Sequence, residues 1–277
     1  MKPVYIFDND GTLTTPVPGM EEAFFASYVR GFAEQLGVSE SLLAERFAVL
    51  RSMIAAHPEN YSWVQNGYVV APANVDVCVE ADVIAQIILG ELRENIKEWM
   101  PKLVALYQAN YLKAETVLRA EALEVLSSLR SREIPFYIVT NADPLKVRTR
   151  FAALGEAGAW VQPLIHGHAK KYAVTLGGPM VIPDRIGFVG LERAVWIRKQ
   201  HYYVVLEEIL KQHHADWSNL IVVGDIAELD LAMPVTLGAR GRLMLGPNTP
   251  QYERNWADYE GWRGRVRTVT NLFEAIA

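Results

Sequence analysis

The sequence predicts an α/β fold in which a parallel sheet carries helices on both faces, with a mostly helical block inserted into it. Three observations support this interpretation. A short apolar strand at residues 4–7 runs directly into the acidic residues Asp8 and Asp10. Residues 15–114 show helical periodicity, and strands alternate with helices from about residue 115 to the end. Such alternation favours a parallel sheet with both faces covered.

The inserted block is predicted to be helical because apolar residues recur every three or four positions. This spacing predicts one helix over 20–36 and a second over 40–56. The pattern resumes at Ile84, where a third helix is predicted. Pro101 is interpreted as the first residue of a fourth helix, which runs to about residue 113, because proline is favoured at a helix start.

The second α/β part places polar residues at strand ends. Helices are predicted over 120–132, 145–154, 202–212 and 272–276, and strands over 135–139, 220–223 and 242–245. Thr140 follows the strand that ends at Val139, and Asp225 follows the strand that ends in Gly224. Ligands of parallel sheets sit beyond the carboxyl ends of the strands. We therefore expect Asp8, Thr140 and Asp225 to converge on one place.

The segment from residue 157 to 196 is interpreted as short strands and turns that form a flap near the site. Glycine and proline punctuate its short apolar stretches, notably at Gly167, Gly177, Gly178, Pro183 and Gly190. The sequence assigns this segment no role beyond that.

Composition excludes several classes of function. The chain has 277 residues and a net charge of -5, from 27 basic and 32 acidic residues, so no basic field attracts nucleic acid or an anionic membrane. One cysteine, Cys78, excludes an intrachain disulfide framework, and no apolar run reaches membrane-spanning length. With no signal-peptide pattern at the start, we expect a cytoplasmic protein. Its oligomeric state is not predicted.

The pair of acids after the first strand, Asp8 and Asp10, indicates a binding site for a cation. Two close carboxylates repel unless a cation or a shared proton relieves them. A hard cation, Mg2+ above all, would keep Asp8 ionised as a nucleophile while the other acid stays protonated. Gly11 allows a tight turn that leaves amide N–H groups facing a phosphate. The alternative is a simple turn in which the acids bond only to their own backbone.

Four separated motifs together resemble the haloacid dehalogenase superfamily of phosphotransferases. They are the run from Asp8 to Thr12, Thr140 at a strand end, a lysine before a helix, and Gly224-Asp225 followed by Asp230. The resemblance implies a Rossmann-like three-layer core formed by residues 1–14 and 115–277. It also implies that residues 15–114 form a helical cap between the first and second motifs.

The resemblance assigns a role to each matching residue. Asp8 is expected to be the nucleophile and Asp10 the general acid and later base. Asp8, the backbone carbonyl of Asp10 and the Asp225 carboxylate are expected to hold Mg2+. Phosphate contacts are expected from Gly11, from the hydroxyl of Thr140, from the amide of Asn141 and from a lysine. Asp230 is expected to support the metal or that lysine.

The catalytic lysine requires a choice among candidates. Lys199 precedes the helix that leads to the last motif strand, and the 26 residues from 199 to 225 leave room for both elements. Lys199 is therefore the predicted residue. The runner-up is the pair Lys170 and Lys171, since adjacent lysines in a loop are more often a solvated surface feature.

The predicted function is Mg2+-dependent hydrolysis of a small phosphorylated metabolite through an aspartyl-phosphate. A phosphomutase of the same superfamily and a non-catalytic binding or regulatory protein are the alternatives. Asp10 disfavours carbon–halogen cleavage, because the dehalogenases lack this second aspartate. Residues 15–96 contain no lysine, which argues against phosphonate hydrolysis. Candidate substrate contacts in the cap are Arg51, His57, Tyr61, Trp63 and Tyr68.

Overall fold

The computed structural model of the protein describes residues 2–175, 182–189, 191 and 193–277. The strands are β1 (Val4–Phe7), β2 (Thr14–Pro16), β3 (Ser62–Gln65), β4 (Tyr68–Pro72), β5 (Thr116–Leu118), β6 (Phe136–Val139), β7 (Ile165–His166), β8 (Arg185–Ile186), β9 (Val195–Trp196), β10 (Leu220–Gly224), β11 (Arg240–Met244) and β12 (Val266–Val269). The helices are α1 (Met20–Leu36), α2 (Glu40–Ala56), α3 (Val77–Glu91), α4 (Ile96–Tyr111), α5 (Ala122–Ser131), α6 (Pro144–Ala152), α7 (Glu156–Ala159), α8 (Gln200–Gln212), α9 (Ala232–Thr236), α10 (Gln251–Ala257) and α11 (Leu272–Ile276).

A six-stranded parallel sheet forms the centre of the α/β part, in the order β12-β11-β10-β1-β6-β7. Strand β1 lies between β10, with Val4 opposite Leu220, and β6, with Tyr5 opposite Phe136. Every pairing within this sheet is parallel. The carboxyl ends of β1, β6 and β10 therefore meet at one edge, as predicted from the strand-and-helix alternation.

Both faces of the sheet are buried under helices, and strand β1 shows why. Its side chains alternate between two hydrophobic clusters, because successive residues of a strand point to opposite faces. Val4 and Ile6 belong to the cluster that contains residues of α8, α9 and α10. Tyr5 and Phe7 belong to the cluster that contains residues of α5, α6 and α11. The result is the three-layer, Rossmann-like architecture that the sequence predicts.

The described chain groups into two compact units. One consists of Met1–Thr15, Gln65–Val70 and Leu118–Ala277, and it contains the parallel sheet. The other consists of Pro16–Val64 and Ala71–Val117, and helices α1 to α4 form most of it. Each of these helices buries apolar side chains, for example Phe32, Phe47, Ile84 and Leu103.

Two helix boundaries in the helical unit differ from the prediction. Helix α3 begins at Val77, seven residues before Ile84, because the Asp76 side chain accepts the amide protons of Cys78 and Val79 and caps the helix there. Helix α4 begins at Ile96 after the cap residue Asn95, so Pro101 lies inside the helix and does not start it. In both cases a cap residue outside the apolar pattern sets the start.

The segment from 157 to 196 contains short strands and turns, as predicted, in the part that the structure describes. Strand β7 joins the edge of the parallel sheet, and β8 pairs antiparallel with β9, with Arg185 opposite Trp196. Gly177, Gly178 and Gly190 lie outside the described residues. Outside this segment, the described strands that the sequence did not predict are β2, β3, β4, β5 and β12.

Among the described residues, no helix combines the length and the apolar character that crossing a membrane requires.

Candidate active site

Asp8 lies directly after β1, at the carboxyl edge of the sheet, and is nearly buried, with 8% of its surface exposed. Its backbone N–H donates to the carbonyl of Val223 in the neighbouring strand β10 (2.9 Å). The ammonium of Lys171 donates to Asp8 Oδ1 (2.5 Å) and to Asp230 Oδ1 (2.7 Å). One buried lysine thus bridges two buried carboxylates that lie more than 200 residues apart in sequence.

Asp225 reaches the same place from the end of β10. The hydroxyl of Thr12 donates to Asp225 Oδ1 (2.9 Å), which links the loops after β1 and β10. One carboxylate oxygen from each of Asp8, Asp225 and Asp230 lies within 4.8 Å of the other two. Three oxygens at this separation can surround a single cation.

The electrostatics of the cluster favour such a cation. Burial is the largest cause that raises the pKa of Asp8, to about 7; Lys171 opposes the rise and Asp230 adds to it. Burial, followed by the charges of Asp230 and Asp8, raises the pKa of Asp225 well above its usual range. Burial alone lowers the pKa of Lys171, but the two carboxylates outweigh it, so this ammonium keeps its proton. One lysine does not balance three acids, and hard oxygen donors of this kind fit Mg2+.

Asp10 occupies a more open position than the three clustered acids. About a third of its side chain is exposed, and its Oδ1 accepts from the Asn9 side chain (2.7 Å) and lies 3.8 Å from a guanidinium nitrogen of Arg150. This placement leaves its carboxyl group accessible to a substrate. The expected role of its backbone carbonyl as a metal ligand stays a prediction.

Thr140 and Asn141 lie at the end of β6, where the sequence places them. Thr140 is buried, with 2% of its surface exposed, and its hydroxyl oxygen accepts the amide proton of Ala142 (3.2 Å). The Asn141 side chain accepts the backbone N–H of Lys171 (2.7 Å). Asn141 therefore supports the residue that contacts Asp8, a contact that the sequence did not indicate.

The structure places Lys171, not Lys199, beside Asp8. Lys199 is fully buried, but its ammonium donates to the backbone carbonyl of Glu228, and burial lowers its pKa to about 7. The geometry does not support the predicted choice, because Lys199 lies immediately before α8 and its ammonium reaches the Glu228 carbonyl in the segment after β10. Lys171 instead follows β7, the strand beside β6, and its ammonium reaches Asp8 at the carboxyl edge of the sheet. The short strand β7, which ends four positions before Lys170, is the signal that could have favoured the runner-up.

Comparison with known proteins decides the family. The family model of haloacid dehalogenase-like hydrolases matches residues 3–238. The chain belongs to this family. A search of curated proteins found no match.

Solved structures with the same fold are distant in sequence. One is a haloacid dehalogenase-like protein of unknown function from Agrobacterium tumefaciens str. C58, 14% identical, with 100% of this chain and 97% of that chain covered and a TM-score of 0.52. Another is a predicted phosphoglycolate phosphatase from Haemophilus somnus 129pt, also 14% identical, with 99% and 96% covered and a TM-score of 0.53. At this identity the likeness shows the shared fold of this hydrolase family.

Two arginines that contact the loop after β1 were not predicted from the sequence. The guanidinium of Arg119 donates to the carbonyls of Thr12 (2.8 Å) and Gly11 (2.9 Å), so it braces the loop after β1 from outside the motif. Arg150, near the end of α6, lies beside Asp10. Neither belongs to a short motif, and Arg119 is signalled only by its position directly after β5.

The candidate substrate contacts have partners of their own. Arg51 pairs with Glu80 (3.2 Å) and covers the Phe25 ring, and His57 lies 3.2 Å from Glu59. Tyr68 groups with the α/β unit, where its ring meets Trp196 edge-on with 4.8 Å between centroids. The roles of these residues, together with Tyr61 and Trp63, in substrate recognition stay predictions.

Proposed function

We propose that this hydrolase is a Mg2+-dependent phosphatase that cleaves a small phosphomonoester through an aspartyl-phosphate. The observation that carries the proposal is the contact of the buried Lys171 with Asp8, in a cluster that also contains Asp225 and Asp230. A carboxylate that is buried, paired with an ammonium and placed at a ligand-binding sheet edge is suited to attack an anionic centre.

The residues that would hold the cation are Asp8, Asp225 and the backbone carbonyl of Asp10, with Asp230 at the side of Lys171. The raised pKa values of Asp8 and Asp225 support this assignment, because a divalent charge among them would restore the ionised forms. When bound, Mg2+ supplies positive charge that offsets the repulsion between an anionic nucleophile and an anionic phosphate.

The chain's own side chains would carry the bond changes. A carboxylate oxygen of Asp8 forms a bond to phosphorus while the ester P–O bond breaks, and Asp10 gives its proton to the departing oxygen. Lys171, Thr140 and the Asn141 amide would hold the phosphoryl oxygens at the carboxyl edge of the sheet. Asp10 then takes a proton from water, which attacks phosphorus and returns Asp8 as a carboxylate with release of inorganic phosphate.

The substrate is proposed to be a small phosphorylated metabolite. We propose that the helical unit acts as a cap, a role that favours a small molecule over a protein surface as substrate. The distant similarity to a protein named as a phosphoglycolate phosphatase supports phosphatase chemistry, and at 14% identity it names no substrate for this chain.

The test is release of inorganic phosphate from a panel of phosphorylated metabolites with Mg2+. We expect turnover of at least one compound, and we expect Asp8→Asn to lower it by at least about a thousandfold, because the nucleophile is lost. Asp216→Asn is the matched control, since Asp216 caps an exposed turn before β10 and its loss leaves the site intact.

Two results would redirect the proposal. Turnover that needs a bisphosphate activator, with phosphate retained on the product, would indicate a phosphomutase. Equal phosphate release by wild type and Asp8→Asn would remove Asp8 from the chemistry altogether. Acid quench of the wild type during turnover should also trap phosphate on Asp8.

A further inference from the structure

Three buried side chains outside the acid cluster hold the backbone of the segment Asp225–Leu231, which we call the acid loop. Lys199 donates from its ammonium to the carbonyl of Glu228. Tyr202 donates from its hydroxyl to the carbonyl of Asp230 (3.0 Å). Glu253 accepts the amide proton of Ala227 at its Oε2 (3.2 Å).

All three side chains are taken out of water for these contacts. Lys199 and Tyr202 are 0% exposed, and Glu253 is 1% exposed. Burying an ammonium, a phenol and a carboxyl group is costly unless each gains a partner. Here each gains a backbone partner in one short segment, in which Ala227–Leu231 form a π-helical turn, and buried backbone groups likewise need partners. The burial of these groups is thus tied to the path of the acid loop.

The three contacts come from two helices on the same side of the sheet. Lys199 immediately precedes α8 and Tyr202 lies in its first turn, so they reach the loop from one helix end. Glu253 lies in α10 and reaches the loop at Ala227. The neighbouring Tyr203 points elsewhere, because its hydroxyl donates to Glu207 of the same helix (2.9 Å).

The acid loop carries two of the three clustered acids. Asp225 begins it, and Asp230 lies five positions later, where Asp230 Oδ2 also accepts the amide proton of Ile226 (3.1 Å). Gly224 packs closely against Asp230: a Cβ at this glycine would lie 2.3 Å from the Asp230 Cβ. Because both carboxylates belong to this short segment, their spacing depends on the path of its backbone.

We propose that Lys199, Tyr202 and Glu253 are positioning residues that fix the acid loop, and with it the spacing of Asp225 and Asp230, before a cation or substrate binds. The expected effect on Mg2+ binding rests on the proposed function, whereas the contacts that hold the acid loop do not depend on it. It gives Lys199 a role that differs from the one predicted from the sequence: Lys199 acts on the loop backbone, whereas Lys171 contacts the nucleophile.

The first test is amide hydrogen exchange of the ligand-free full chain. Tyr202→Phe removes one hydroxyl and keeps the ring, and we expect exchange of the amides at 226–231 to rise about fivefold, the effect of one hydrogen bond. Tyr203→Phe is the matched control, since it removes the adjacent hydroxyl of the same helix, and its loop exchange should equal that of the wild type. Equal exchange in Tyr202→Phe and Tyr203→Phe would overturn the inference.

The other two residues are tested in the same way. Lys199→Met should accelerate loop exchange, and Lys211→Met, which removes an exposed lysine near the other end of α8, should not. Glu253→Gln keeps an acceptor oxygen for Ala227, whereas Glu253→Leu does not. We expect Gln at position 253 to restore slow exchange relative to Leu, a rescue that loss of packing alone would not produce.

The second test is Mg2+ binding to the same proteins by calorimetry, independent of turnover. We expect Tyr202→Phe and Lys199→Met to bind Mg2+ about three- to tenfold more weakly, with Tyr203→Phe unchanged. Faster loop exchange with unaltered Mg2+ affinity would overturn the positioning role. A wild type that binds no Mg2+ and releases no phosphate, with loop exchange still altered in Tyr202→Phe, would overturn the proposed function and leave the loop contacts supported.

Discussion

At the scale of single residues, Gly11 has the narrowest tolerance in the site. Its φ is +79°, and a Cβ built at Gly11 would lie 2.0 Å from Asp225 Oδ2. Glycine is therefore needed twice, once for the left-handed backbone and once for the close approach of Asp225. Gly19 has nearly the same φ, +78°, with nothing within 4 Å of its Cβ position.

Alanine substitutions at these two glycines distinguish the effect of a strained backbone from the effect of steric crowding. Gly11→Ala and Gly19→Ala should each lower the free energy of unfolding by about 1–2 kcal/mol through the left-handed backbone. Only Gly11→Ala should also weaken Mg2+ binding and phosphate release, because its methyl group displaces Asp225. Denaturant unfolding and Mg2+ titration of both variants check this. Equal loss of Mg2+ binding in both would refute the crowding argument.

Lys171 is the second residue with a sharp expectation. Lys171→Met removes the ammonium between Asp8 and Asp230 and leaves two buried carboxylates without their partner. We expect a loss of about 3 kcal/mol in the free energy of unfolding at neutral pH, in line with broken buried ion pairs. Phosphate release should fall at least about a hundredfold, because in the proposed mechanism this ammonium also offsets charge on the phosphoryl oxygens.

Lys170→Met is the control for this change. Lys170 is the exposed neighbour of Lys171 in sequence, and its loss should leave both unfolding and phosphate release near the wild-type values. If instead Lys199→Met abolished turnover while Lys171→Met did not, the assignment of the catalytic lysine drawn from the geometry would be reversed.

At the scale of elements, a partly buried acid of α3, Asp82, connects this helix to α1 in the helical unit. Asp82 accepts hydrogen bonds from Gln86 of its own helix (2.8 Å) and from the hydroxyl of Tyr28 in α1 (3.4 Å). Burial is the largest cause that raises the pKa of Asp82, and the two hydrogen bonds oppose it. The folded state therefore holds this proton at a higher pH than the unfolded state does.

This shift has a defined sign for stability. As pH rises above about 4, the unfolded chain loses the Asp82 proton first, so ionisation favours unfolding until the raised folded pKa is passed. Asp82→Asn removes this penalty, and its stability relative to wild type should increase with pH over that window. Asp216→Asn should show the opposite trend, because hydrogen bonds from Ser218 lower the pKa of Asp216 in the folded state. Denaturant unfolding at several pH values measures both slopes.

At the scale of the whole molecule, the acid cluster links cation binding to stability. The folded chain gathers Asp8, Asp225 and Asp230, whereas the unfolded chain scatters them, so a divalent cation should bind only the folded state. At a Mg2+ concentration about a hundredfold above Kd, this adds about 2.7 kcal/mol of stability. For a chain of this size the melting temperature should rise by roughly 5–10 °C, at about 2–4 °C for each kcal/mol.

Thermal melts with and without MgCl2 at constant ionic strength measure this effect. Asp225→Asn should abolish the Mg2+-dependent rise, while Asp216→Asn should keep it. A rise of the same size in Asp225→Asn would place the cation elsewhere on the protein.

The sequence by itself determined the fold class and much of the site. The alternation of strands with helices from about residue 115 predicted a parallel sheet, and parallel strands align their carboxyl ends at one edge. That geometry, together with the short motifs, predicted that Asp8, Thr140 and Asp225 converge. Such patterns can be recognised in the sequence because hydrophobic periodicity and turn residues determine secondary structure over a few neighbouring positions.

Only the tertiary structure decided which lysine meets Asp8. Lys171 and Lys199 both lie near helices or loops at the correct edge, and their order in the chain favoured Lys199. The choice depends on side-chain reach across neighbouring strands: β7 pairs with β6, so the loop after it brings Lys171 to Asp8. The same is true of Arg119, Tyr202 and Glu253, whose partners lie between 26 and 108 positions away in sequence. Contacts at such distances leave no local periodicity, so packing alone reveals them.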